Sequence, residues 1–134
     1  MELGPMSISC YIGFRSTAGK AIEKLQSAVP YQTGTLRLLV GAMYPVYVRG
    51  ETFLAEGRGA DAAAEFQKIL DHRAVVVSDP VCALARLELS RAYLVAGDGS
   101  KAKATYQDFF ALWNGADPDI PVLKRAKSEF GNLH

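Results

Sequence analysis

The chain has 134 residues, 49% of them hydrophobic and 22% charged, enough for one domain with a packed core and too short to expect two. That balance excludes the disordered class. Fifteen Lys and Arg against fourteen Asp and Glu leave a formal charge of +1, which excludes a broad positive field for nucleic acid or anionic lipid.

The first residues, Met1 to Met6, carry an acid in place of a basic n-region and no sustained apolar stretch, unlike a secretory signal. The most apolar run, Leu36 to Val48, contains Arg37 and Pro45 and falls short of the ~20 residues that span a bilayer. A cytoplasmic protein without membrane contact is expected. Cys10 and Cys82 lie far apart in apolar stretches and are read as small buried thiols rather than as a disulfide.

Residues 1–35 are irregular. Ala21, Leu25 and Ala28 match the apolar side of a helix, but the segment before them holds Gly4, Pro5 and Gly13. Residues 1–29 are expected to be a degenerate or truncated repeat, and Pro30 to Thr35 a linker rich in turn formers.

Residues 36–116 hold an internal repeat. Phe53, Gly57, Ala62, Phe66 and Ile69 follow one another at intervals of four, five, four and three, and Tyr93, Gly97, Ala102, Tyr106 and Phe109 reproduce those intervals at a shift of 40. A ring, a glycine, a small residue and a second ring at this spacing describe two antiparallel helices joined by a short loop. Gly57 and Gly97 supply the positive φ that stops the first helix, and Gly50 and Ser90 leave room one turn earlier. Between the modules, His72 to Asp79 forms an insert with Val75, Val76 and Val77, closed by the helix-starting pair Asp79-Pro80.

Residues 117–134 place Asp117-Pro118-Asp119 before the amphipathic set Ile120, Leu123, Ala126, Phe130 and Leu133, with the acids expected as N-caps. Lys124, Arg125, Lys127 and Glu129 are expected on an outer face that ends the stack in water.

These modules resemble the tetratricopeptide repeat, whose small, aromatic, glycine, alanine and aromatic positions are filled by Gly50, Phe53, Gly57, Ala62 and Phe66, and again by Ser90, Tyr93, Gly97, Ala102 and Tyr106. The family repeat is about 34 residues long, so the spacing here carries an insertion. The resemblance implies an all-α fold, a right-handed alpha-alpha superhelix of antiparallel helix hairpins with a C-terminal capping helix. The run Tyr44 to Glu51, with Glu65 to Arg73 and Asp117 to Pro121, is similar to the C-terminal end of repeat arrays in bacterial signalling proteins. There such arrays follow a kinase or a winged-helix domain, and the motifs of neither occur here.

In that family the first helix of each pair lines the concave side. Carried over by position, a partner-binding face would present Tyr44, Tyr47, Glu51 and Leu54, then Leu87, Glu88 and Arg91. Rings beside mixed charges suit a peptide or partner domain; the alternative is that they pack only on residues 20–40. Tyr47 and Glu51 stand at positions matching the lysine, asparagine and arginine with which the best-known peptide-binding members of that family grip a C-terminal carboxylate, and Glu51 would repel such a ligand. Asp71-His72-Arg73 reads as a helix C-terminus rather than a catalytic cluster. His72 and His134 are the only histidines, and neither a metal set nor a phosphate loop is visible.

The expected function is thus a non-catalytic protein-interaction scaffold without cofactor. The alternative is a self-associating end piece of a larger signalling or regulatory protein, a homodimer formed through its incomplete first repeat. A helical hydrolase or transferase is the third reading.

Overall fold

The computed structural model describes residues 19–27, 43–72 and 80–133, and all regular structure among them is helical. Helix α1 covers residues 19–26, α2 Tyr44–Ala55, α3 Gly59–Asp71, α4 Val81–Val95, α5 Gly99–Leu112 and α6 Pro121–Gly131. The expectations for residues 1–18, for the linker, for the valine insert and for Cys10 lie outside the described residues.

Local chemistry sets the helix boundaries. Proline stands in the first turn of α2 and of α6, where its missing N–H would have had no partner. The loops that close α2 and α4 have one geometry. Gly57 has φ 76° and Gly97 φ 84°. The Gly57 N–H donates to Leu54 O at 2.9 Å and that of Arg58 to Phe53 O at 2.9 Å; Gly97 donates to Leu94 O at 3.0 Å and Asp98 to Tyr93 O at 2.8 Å. Both are Schellman motifs, in which the left-handed glycine satisfies carbonyls the helix leaves open. Asp98 then caps α5, accepting from the Lys101 N–H at 3.0 Å.

The acids before α6 behave otherwise than expected. The residue preceding this helix is Ile120, which offers no side-chain cap. Asp117 instead accepts from the Asp119 N–H at 2.9 Å within the approach turn, and Asp119 pairs with Lys124 at 2.7 Å. His72 does end α3: its N–H donates to Lys68 O at 3.2 Å, and ring Nδ1 lies 2.7 Å from the same carbonyl. A carbonyl only accepts, so Nδ1 carries the proton in this pairing.

Successive helices pack on one another, α3 between α2 and α4, and α4 between α3 and α5. Two apolar clusters result. The first joins Ile22 of α1 with Val46, Phe53, Ala62, Phe66, Ile69, Ala85 and Leu89. The second joins Leu87, Tyr106 and Phe109 with Leu123 and Ala126 of α6, and Phe110, Trp113 and Phe130 pack against it. Small residues hold the seams close. A Cβ on Gly50 would lie 2.7 Å from the Phe66 ring, and one on Gly59 would lie 2.4 Å from Ala96 N and 2.6 Å from Ala92 O. The Phe66 ring therefore rests on bare α2 backbone, and the start of α3 rests on bare α4 backbone.

Candidate partner-binding groove

Tyr44, Tyr47, Val48, Glu51 and Leu54 recur at helical spacing and so share one face of α2. Tyr44 and Val48 are 47% and 40% exposed, on a helix whose other face is core. Tyr47 is anchored, its ring set edge-on against Phe66 at 5.6 Å between centroids. The charges of Glu88 and Arg91, from α4, and of Glu51, one turn along α2, act on its hydroxyl. Tyr47, Glu51, Glu88 and Arg91 are therefore brought together across the α2–α4 seam.

Arg91 is the centre of the polar floor. Its Nε and Nη2 donate to Glu129 Oε2 and Oε1 at 2.9 and 2.8 Å, a two-pronged pair with α6, while Nη1 donates to Glu88 Oε1. The Tyr106 hydroxyl adds a bond to Glu129 Oε2 at 2.9 Å. Burial opposes the Arg91 charge, but Glu129 and Glu88 outweigh it and hold the guanidinium protonated above its ordinary range. Burial pushes the Glu88 carboxyl up; Arg91 opposes the shift, and Glu51 and Glu129 add to it. Burial, then Glu88 and Glu51, also raises the Tyr47 phenol; burial and the bond to Glu129 do so for Tyr106.

Two sequence expectations change here. Leu87 is fully buried in the second core and offers no surface to a partner, because α4 is packed on both sides and its apolar stripe turns toward Tyr106 and Phe109. Glu129, expected on the polar outer face of α6, turns inward to Arg91 and Tyr106. Leu54 packs partly against the first core. Tyr44 and Glu51 remain open on α2, and only 9% of Glu88 is exposed.

Beyond Arg91 the groove continues between α4 and α6 as a cleft of about 400 Å³ lined by Leu94, Val95, Tyr106 and Leu133. A second depression, lined by Gln67, Asp71, Arg86, Tyr93, Thr105 and Asp108, is polar. Several of its groups bond within their own helices, Gln67 to Asp71 at 2.9 Å and Thr105 to Lys101 O at 2.8 Å, so they do not converge on a ligand.

Sequence reasoning missed a buried ion pair. Arg49 and Glu65 bond to each other between α2 and α3, Lys68 reaches Glu65 at 2.7 Å, and Arg49 Nη1 approaches Leu25 O in α1 at 3.4 Å. The signal was present: Arg49 and Glu65 each fall on the apolar stripe of their helix, beside Val46 and Phe53, and beside Ala62 and Ile69. Opposite charges on two facing stripes point to each other. Among the described residues no group of three or more His, Cys, Asp or Glu is placed to hold a metal ion, and no helix is long and apolar enough to cross a membrane.

Comparison with known proteins finds no matching family model, no similar curated protein and no similar solved structure.

Proposed function

We propose that the chain is a non-catalytic interaction module of tetratricopeptide type, its hairpins winding as a right-handed superhelix, and that it holds a peptide or partner domain in the groove along α2 and α4. As a cytoplasmic piece of a larger signalling protein it would serve to recruit rather than to react. The observation that carries the reading is the exposed stripe of Tyr44 and Val48, set beside the ordered floor of Tyr47, Glu88 and Arg91. Rigid rings next to desolvated, hydrogen-bonded charges are what binding hot spots are made of. Arg91, Glu88, Glu129 and Tyr106 hold one another in fixed pairs, an arrangement that suits presentation of a surface better than proton transfer to a substrate.

Site-specific photo-crosslinking in cells tests it. A benzoylphenylalanine replacing Val48 should give a discrete partner adduct that Tyr44→Ser combined with Glu51→Lys removes, whereas the same probe at Asp108 should give none. Equal labelling from both positions, or an adduct indifferent to the double substitution, would place the binding surface elsewhere.

A further inference from the structure

We infer that the cleft between α4 and α6 is a binding site for a small carboxylic acid with an apolar tail. Arg91 and Tyr106 take its carboxylate, the tail lies among Leu94, Val95 and Leu133, and Glu129 is the in-chain group that yields its place.

Three donors from two helices converge on one carboxylate. Arg91 of α4 donates through Nε at 2.9 Å and through Nη2 at 2.8 Å, and Tyr106 of α5 donates through its hydroxyl at 2.9 Å. A planar guanidinium fork with a phenol beside it receives a carboxylate of any origin, because each of these bonds ends on a carboxylate oxygen. Burial, then the bond to Glu129, raises the Tyr106 phenol, so the hydroxyl stays a donor at neutral pH. The remaining guanidinium nitrogen, Nη1, donates to Glu88 on the same helix and keeps the fork aimed when Glu129 leaves.

The cleft supplies the other half of the site. Its volume of about 400 Å³ lies within the usual range for small-molecule sites, and its walls join Arg91, Tyr106 and Glu129 to Leu94, Val95 and Leu133. A molecule in the cleft therefore touches the ion pair itself. An apolar wall with one charged end is complementary to an amphiphilic acid. A peptide strand would instead lay unpaired amide groups on leucine and valine, which costs more than the side chains return.

Exchange does not require α6 to leave. The Glu129 side chain is 31% exposed and can turn to water, while Leu123 and Ala126 stay buried and the Phe130 ring stays against Tyr106 and Phe110. One carboxylate replaces another, so charge and hydrogen bonds are conserved, and burial of the tail supplies the net gain. Glu129 competes as a tethered ligand, at an effective concentration of roughly millimolar or more. Its removal should then tighten binding, which a merely structural ion pair would not do.

An NMR titration of the full chain with hexanoate, and with hexan-1-ol as its neutral twin, is the test. In the wild type, hexanoate should shift the amides of Leu94, Val95 and Leu133 saturably, and the alcohol should bind at least about tenfold more weakly. Glu129→Ala should bind hexanoate at least about tenfold more tightly than wild type and the alcohol no better, with circular dichroism still helical. In that background Arg91→Lys, which keeps the charge but loses the fork, should cancel the gain. So should Val95→Asp, which blocks the tail from a position half in water. An absence of saturable shifts in the wild type, equal binding of acid and alcohol, or no tightening in Glu129→Ala each overturns the inference. The crosslinks from Val48 are independent of all these outcomes, so the groove reading stands or falls separately.

Discussion

Arg49 and Glu65 are the charges most deeply enclosed in the first core, with side chains 2% and 9% exposed. Taking such a pair out of water costs several kcal/mol per ion, and mutual attraction repays it only when both partners are present. Glu65→Leu leaves a buried guanidinium whose remaining contacts include the distant Leu25 carbonyl, and should cost about 3–5 kcal/mol in urea denaturation. Arg49→Met should cost a similar amount. Joining the two should recover much of the loss, since a hydrophobic pair of similar volume replaces the ion pair; strictly additive effects would show that the charges do not stabilise each other. Lys68 adds little to this balance, because half of its side chain is in water. At this scale the sequence was only partly readable. Periodicity assigns Arg49 and Glu129 to a helix face, but the partner that draws a charge inward sits on another helix, and no interval within one helix contains it.

The helical hairpin is the level at which the chain was most legible, because its determinants are local. The ring, the left-handed glycine and the buried alanine act within one loop and its two flanking turns, and both copies fold alike. Local identity does not extend to what a position touches. Gly59 and Gly99 open α3 and α5 at the same place in the repeat, yet a Cβ on Gly59 would meet α4 backbone at 2.4–2.8 Å, whereas one on Gly99 would meet nothing within 4 Å. Backbone cannot step aside as a side-chain tip can. Gly59→Ala should therefore destabilise by about 1–3 kcal/mol, the range for an overpacked seam. Gly99→Ala should be neutral or stabilise by up to about 1 kcal/mol, since alanine loses less backbone entropy in a helix. Thermal and urea unfolding of the two variants side by side reads the contrast directly. Equal effects would mean that α4 does not lie against the start of α3 as described.

Across the molecule, the order of packing makes stability uneven. α4 carries Ala85, Leu89 and Ala92 into the first core and Leu87 into the second, so it alone belongs to both. α6 is the opposite case. It buries only Leu123 and Ala126, and its further ties are the Phe130 ring against Tyr106 and Phe110 and the Glu129 bonds to Arg91 and Tyr106. That these residues would form a helix was legible from their amphipathic pattern; that the helix is fastened by an ion pair was not, because Glu129 looks like any solvent-facing acid until Arg91 is opposite it. When each element contacts mainly its neighbours, opening proceeds from the ends, and free energy of opening rises toward the middle. Native-state hydrogen exchange should thus show the slowest amides in α3 and α4 and faster exchange in α6. Glu129→Gln should speed α6 further and leave α3 nearly unchanged, because the bonds it weakens join α6 only to the second core. Identical protection in α6 and α4, rising and falling together in that variant, would instead mean that the whole row opens as one unit, with the Arg91 network binding its end as firmly as the apolar cores bind its middle.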